Sequence, residues 1–299
     1  MTNSLIPLKP GATLAVIAPA GPPKPDQLEQ VPALLAAHGF VAKVFPSCAG
    51  PAQFDYLAAS DAQRLADLHA AFADPEVDAV LCLRGGYGCG RLLAGIDTAL
   101  LRANPKLLIG YSDITALHGL LDTLGLPGLH APMPTSDLLH PEAGPDAERL
   151  FGLLRTGLRP GDEIAAPPLN LHPLSRGDAA EGRLIGGNLA VFASLIGTRW
   201  LPDARGAILF LEDISEEPYR VDRMLGQLRH AGVLDAAAGF LIGSFSDAAA
   251  PDDQLVDYLG NLGKPILAGW PSGHCRPNVP LPMGLRVRMD VAARRVTVL

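Results

Sequence analysis

A serine, two carboxylates and a histidine stand in this chain in an order that can build a hydrolytic triad. Ser112 follows the apolar run Leu107–Gly110 and opens a helical pattern that continues through Ile114-Thr115-Ala116-Leu117. A hydroxyl on such a strand-to-helix turn is lifted clear of the backbone, and the free N–H groups of the helix N-terminus can face an anion forming beside it. That geometry suits a nucleophilic serine with an oxyanion hole. It also suits a plain helix cap supplied by Ser112 or Asp113. Further along, Ala207–Leu211 reads as an apolar strand ending in Glu212-Asp213, and Gly273-His274 lies in a polar turn. A serine hydroxyl is a weak nucleophile until a neutral imidazole takes its proton. The imidazole must in turn be held in one tautomer by an acceptor on its other nitrogen. Glu212, Asp213 and Asp113 all compete for that orienting role, and residue patterns do not rank them.

The elements that would position these groups follow a strand–helix rhythm. Leu14–Ala18, Val41–Val44, Val77–Leu83 and Leu107–Gly110 read as strands. Between them, Asp26–His38 reads as a helix closed by Gly39. A second helix is capped by Ser60-Asp61 and buries Leu65, Leu68, Ala71 and Phe72. Ile114–Leu124 is the helix after the serine. This alternation predicts an α/β fold in which an N-terminal parallel sheet is wrapped by helices. Ligands of such sheets bind at the carboxyl ends of the strands, where both Gly86 and Ser112 fall. A second, mixed α/β domain follows, with Arg183–Ile185, Ala207–Leu211 and Phe240–Ile242 as strands. Helices are expected near Asn188–Leu195, at Pro218–His230 and at Asp253–Leu262, and Leu285–Asp290 with Arg295–Val298 alternates like a terminal hairpin. The expected division is 1–157 for the domain carrying the nucleophile, 158–178 for a Pro/Gly/Leu-rich connection, and 179–299 for the domain carrying acid and histidine.

Composition bounds the partners. The 299 residues are 48% hydrophobic, ample for packed cores. A formal charge of −7 argues against nucleic acid or an anionic membrane surface as partner. No apolar span reaches the length of a membrane helix, and the short run Thr13–Ala18 fits a first strand better than a signal peptide. Cys48, Cys82, Cys89 and Cys275 lack disulfide-framework or zinc spacing, which points to reduced thiols in the cytoplasm and no metal or cofactor. Gly86-Tyr87-Gly88-Cys89-Gly90 spaces its glycines too closely for a dinucleotide loop. His118 falls well off the serine's face of its helix and reads as packing. His130, before Ala131-Pro132, is a candidate for the cleft wall. Arg84 and Arg183, each embedded in a glycine-flanked motif, could form salt bridges or offer a guanidinium fork to a substrate carboxylate.

Taken together, Ile17-Ala18-Pro19-Ala20-Gly21-Pro22, Arg84-Gly85-Gly86-Tyr87-Gly88, Gly110-Tyr111-Ser112-Asp113, Glu181–Asn188, Leu211-Glu212-Asp213 and Gly273-His274 resemble the LD-carboxypeptidases. These are serine peptidases of the muramoyl-tetrapeptide carboxypeptidase type, related to microcin C immunity proteins. The resemblance implies Ser112 as nucleophile, His274 as general base, Glu212 as its orienter, and an oxyanion hole from the backbone N–H groups of Gly86 and Asp113. It implies removal of the terminal D-alanine from a murein tetrapeptide, across an L,D bond, in cell-wall recycling. The expected partners are that small peptide and a second copy of the chain. A relative that detoxifies an aminoacyl-nucleotide antibiotic would carry a longer connection with an aromatic against the base, whereas Pro134–Asp178 here holds only Phe151. A non-catalytic α/β binding protein would have no use for the serine, glutamate and histidine set.

Overall fold

The computed structural model describes residues 3–24 and 26–299. Two six-stranded sheets carry the architecture. The first contains β1 (Thr13–Ile17), β2 (Val41–Val44), β3 (Ala79–Cys82), β4 (Leu107–Ile109) and β5 (Gly128–His130), all parallel, in the order β2-β1-β3-β4-β5. The second contains β6 (Ala179–Asn188), β7 (Ile208–Ile214), β8 (Gly239–Ser246) and β9 (Ile266–Ala268), parallel and in sequence order. The antiparallel pair β11 (Arg286–Asp290) and β12 (Arg295–Val298) lies on its β6 edge. The remaining strand, β10 (Leu281–Met283), leaves the second half of the chain and pairs antiparallel with β5, so the expected all-parallel first sheet gains an antiparallel edge.

Strand alternation explains why each sheet needs cover on both faces. In β1, Leu14 and Val16 enter one core while Ala15 and Ile17 enter the other. In β7, Leu209 and Leu211 face one core while Ile208 and Phe210 face the opposite one. Buried on both sides, such strands are near-continuous in apolar residues, as the sequence is. Burying each large aliphatic side chain contributes about 1.5–3 kcal/mol. The helix Asp61–Ala73 illustrates local coding. Ser60 caps it by accepting from the Gln63 N–H at 3.2 Å, and Leu68, Ala71 and Phe72 form its buried stripe. Arg64 on the same helix is fully buried. It pairs with Asp61 at 2.5 Å and donates to the carbonyls of Ala59 and Pro19, which ties down the chain leaving β1.

The first sheet's strand order places a topological switch point between β1 and β3, where open α/β sheets bind ligands. The two halves meet at the start of the helix after β4 and beside Asp146. Gly187 packs so closely on Thr115 that a β-carbon there would lie 3.0 Å from Thr115 Cγ2, and Asn188 donates its N–H to Thr115 Oγ1 at 3.0 Å. Asn278 donates its N–H to Asp146 Oδ1 at 3.1 Å. Among the described residues no helix is long and apolar enough to cross a membrane.

Candidate active site

Ser112 sits where β4 turns into the helix Thr115–Thr123. The turn runs through Gly110 at φ 154° and Ser112 itself at φ 62°, then a single 3-10 turn over Ser112–Ile114. A serine in the left-handed region stores on the order of 1–3 kcal/mol of backbone strain, of the kind concentrated at functional turns. Gly110 is needed because a side chain there would meet Cys82 Cβ at 3.0 Å and Met133 Sδ at 3.1 Å. The strained turn projects the hydroxyl across the domain boundary, where His274 Nε2 lies 3.2 Å from Ser112 Oγ. The other ring nitrogen, Nδ1, is 2.8 Å from Glu212 Oε2, and the same oxygen accepts the His274 backbone N–H at 3.2 Å.

The choice among three carboxylates is resolved by where each one is engaged. Asp113 accepts the Cys89 N–H at 2.7 Å and stays with the glycine loop. Asp213 points to the opposite face of β7 from Glu212. There it accepts from the Asn188 side chain at 2.7 Å and the Ala190 N–H at 2.9 Å, bracing the start of the helix Leu189–Ser194. Burial is the main reason its pKa rises to about 6. Glu212 alone faces the imidazole. It is fully buried, and the β7–β8 register shifts beside it, so that Leu211 pairs with Ile242 but Asp213 with Phe245. Such irregularities re-aim side chains next to active sites. Gly243 sits in that irregularity, where a β-carbon would be 3.1 Å from Glu212 Cβ. The Gly273–Asn278 loop is fixed by Asn278 Oδ1, which accepts the Gly273 N–H at 3.1 Å, and by Ser246, whose hydroxyl donates to the His274 carbonyl at 2.9 Å. The sequence reading anticipated none of Gly243, Asn278 or Ser246. None of the three carries a local signal: Gly243 lies inside β8, four residues from the nearest carboxylate in sequence, Asp247.

On the far side of Ser112 lies the glycine loop. A β-carbon on Gly85 would be 2.9 Å from Ser112 Oγ, so this backbone lies against the hydroxyl. The N–H groups of Gly86 and Asp113 have no intramolecular acceptor among the described residues. Arg84 reaches back from the same loop to donate to the Pro22 carbonyl at 3.0 Å, while its buried Nε has no partner. Arg183 is placed elsewhere. Its guanidinium binds Asp122 at 2.7 and 3.2 Å near the far end of the serine's helix, an ion pair between the halves, and it does not reach the triad. His118 is buried against the Gly110 carbonyl at 2.8 Å, and burial lowers it to about 4. His130 is fully enclosed between Tyr111 and Phe210 and lines no open cleft. The Tyr111 ring lies against the His274 ring with centroids 4.8 Å apart, tilted at 57°, and its hydroxyl donates to Asp137 at 2.9 Å. A cavity of about 670 Å³ beside the helix Gly144–Thr156 includes none of Ser112, Glu212 or His274. Phe151 is buried in the first core, stacked on His38.

Sequence profiles of the LD-carboxypeptidase N-terminal and C-terminal domains match residues 14–131 and 181–289 respectively. A Bacillus subtilis protein named probable murein peptide carboxypeptidase is 40% identical, over 97% of this chain and 92% of its own length. The chain belongs to the LD-carboxypeptidase family. Like other members it is a serine-type carboxypeptidase. A crystal structure of the muramoyltetrapeptide carboxypeptidase from Oxalobacter formigenes superposes with a TM-score of 0.82 at 30% identity, covering 95% of this chain and 97% of that one. A variant of the microcin C7 self-immunity protein bound to adenosine monophosphate superposes with a TM-score of 0.88 at 24% identity, over 99% and 98% of the two chains. That second likeness extends to the fold alone.

With His274 in the general-base role expected from the sequence, pH should report on its imidazole. Burial is the largest influence on its imidazole and disfavours the charged form. The hydrogen bond and charge of Glu212, with Asp213 and Asp137 behind it, outweigh burial and raise the pKa above 6.5. Only the neutral ring can accept the serine proton, so kcat/KM should climb with pH, with its acidic midpoint above 6.5. Glu212→Gln removes the stabilising charge but leaves the burial, so its midpoint should move down. A pH–rate profile with the same midpoint in both proteins would overturn the assignment of that limb to His274.

Proposed function

We propose that this LD-carboxypeptidase removes the terminal D-alanine of a murein tetrapeptide during cell-wall recycling in the cytoplasm. The observation that carries the mechanism is the continuous relay Ser112 Oγ–His274 Nε2, His274 Nδ1–Glu212 Oε2 at 3.2 and 2.8 Å, built across the two halves. In this reading residues 1–157 bring the nucleophile, 179–299 bring the acid and base, and 158–178 join them. Ser112 Oγ attacks the carbonyl before the terminal alanine as His274 Nε2 takes its proton. The oxyanion is received by the N–H groups of Gly86 and Asp113. Collapse breaks the C–N bond, and His274 returns the proton to the leaving amine. Water then repeats the sequence on the acyl-serine and frees the tripeptide. Glu212 stays ionised and holds the ring in one tautomer.

The substrate class rests on relatives named for murein peptides at 30–40% identity. Four free cysteines, three of them buried, support a reducing compartment. The same reading carries a homodimer, checked by light scattering. For the terminal carboxylate, Arg84 is the better candidate, because its Nε is unpartnered while Arg183 is committed to Asp122. Comparing a murein tetrapeptide with its C-terminal amide tests the exopeptidase reading. The amide leaves a half-buried guanidinium without its charge partner, and kcat/KM should fall by at least about 30-fold, the equivalent of roughly 2 kcal/mol. Equal values would bring an aminoacyl-nucleotide hydrolase forward instead.

A further inference from the structure

Four aromatic side chains stand exposed among the described residues: Phe54, Tyr56, Tyr87 and Tyr219. Three of them form one ladder. The Phe54 and Tyr56 rings stack with centroids 5.9 Å apart at 28°, and Tyr56 meets Tyr87 edge-on at 5.8 Å. Each is more than half exposed, so the fold gains little by holding them there. Contiguous exposed apolar surface of this kind marks a site of interaction.

The ladder is rigidly mounted. Gln53 and Leu57 exchange backbone hydrogen bonds at 2.9 and 3.0 Å around Phe54 and Asp55, which sit at φ 56° and 62°. Three residues, Phe54, Asp55 and Tyr56, make the loop between that pair, and the first two hold the left-handed conformation that asparagine and glycine adopt more readily. A phenylalanine there is strained, and the turn turns it outward at that cost. The hairpin is fixed to the exit of β1 by the Ala58 N–H on the Ala20 carbonyl at 2.9 Å. The Leu57 side chain leaves room only for glycine at Gly88, where a β-carbon would lie 2.7 Å away.

The ladder begins two residues along the chain from the backbone that lies against Ser112 Oγ. Gly85 lies against Ser112 Oγ, Gly86 offers its N–H to the oxyanion in the mechanism above, and Tyr87 is the next residue. Tyr56 and Phe54 then lead away in two steps of 5.8 and 5.9 Å. A tetrapeptide anchored by its last peptide bond at Ser112 runs through three residues before its amino end, about 10 Å when extended. The two ring-to-ring steps of 5.8 and 5.9 Å are on that scale. In a muramoyl peptide the group at that end is a pyranose, whose ring presents an apolar C–H face suited to a flat aromatic surface, while tyrosine hydroxyls can meet its polar edge.

We propose that Phe54, Tyr56 and Tyr87 form a subsite for the muramoyl sugar at the amino end of the substrate, so that the enzyme prefers sugar-bearing tetrapeptide to the free peptide. This rests on the murein-peptide reading above. The test is the ratio of kcat/KM for N-acetylmuramoyl tetrapeptide to that for the free tetrapeptide. It is measured in the full-length enzyme, in Phe54→Ala/Tyr56→Ala, and in Phe54→Leu/Tyr56→Leu, which keeps apolar bulk but loses the flat faces. The native ratio is expected at roughly three to ten, the scale of one aromatic contact, and near one in both variants, with melting curves that still show a single cooperative transition. Tyr87→Leu, outside the strained hairpin, should lower the ratio as well and serves if the hairpin variants fail to fold. A native ratio near one, or a ratio that survives all three variants, overturns the subsite. So does a fall from dimer to monomer in the hairpin variants with the ratio intact, which would make the ladder a contact between copies. Alanine released from neither substrate by the native enzyme would instead overturn the murein reading itself.

Discussion

Ser112→Ala is expected to reduce kcat by about 10⁴- to 10⁶-fold while leaving the melting temperature nearly unchanged. Among the described residues the hydroxyl makes a single hydrogen bond across the boundary, at 3.2 Å from His274, so its loss removes the proposed nucleophile without opening a core. His274→Ala should cost a similar factor. The double variant should be no worse than either alone, because in the proposed mechanism nucleophile and base act in one step and neither has a use without the other. Glu212→Gln should cost less, since the ring keeps a hydrogen-bonding neighbour. A Ser112→Ala protein with near-native release of alanine, followed by mass spectrometry, would end the assignment of Ser112 as nucleophile.

Gly273→Ala is expected to cost at least about 10²-fold in kcat/KM, although it adds only one methyl group. Gly273 sits at φ 104°, and a β-carbon there would lie 2.6 Å from Glu212 Cγ and 2.7 Å from its carboxyl carbon. Glu212 is completely buried beneath it and cannot swing into solvent. Either the carboxylate or the His274 loop must move, and displacement of about 1 Å at a catalytic constellation costs on the order of 10²-fold. Gly39→Ala provides the control. Gly39 has a similar φ of 84° but nothing within 4 Å of a new β-carbon. It should lose about 1 kcal/mol of stability and no activity. If Gly273→Ala behaved like Gly39→Ala in both measurements, the close packing over Glu212 would carry no functional weight.

Much of this was legible in the chain because local chemistry and long-range packing agree there. Ser60-Asp61 opens a helix as its capping chemistry dictates, and the helix Pro218–His230 lies where its pattern places it. The apolar strands of the first half appear within a few residues of their expected bounds. Other elements were hidden by residues whose reason is tertiary. Only Arg183–Ile185 of the ten-residue β6 reads as strand, because Gly182, Gly186 and Gly187 interrupt the pattern; those glycines are there to let β7 and Thr115 approach. The helix expected over Asp26–His38 is narrower, with a 3-10 turn at Leu28–Gln30 leading into Val31–Ala37. The helix Gly144–Thr156 begins Gly-Pro and gave no sign of itself. At the site, spacing offered three acids. Only the face of β7 separates Glu212 from Asp213, and the local register irregularity that aims it leaves no mark in sequence.

Strand β10 has a consequence for the order in which the molecule can be made. Pro282 lacks an N–H and so disguises Leu281–Met283 as loop, yet its place opposite Leu129 on an outer edge is where a sheet tolerates proline. During synthesis the first sheet emerges from the ribosome long before this strand does. Until then the β5 edge, Gly128–His130, is an open template of unpaired amides, the kind that recruits stray strands. His274 and its loop arrive just ahead of β10, so the closing of that edge and the delivery of the base to Ser112 are nearly simultaneous. In the proposed mechanism a nascent chain stays catalytically silent until residue 274 is made, and a product truncated before it would also leave the β5 edge uncovered.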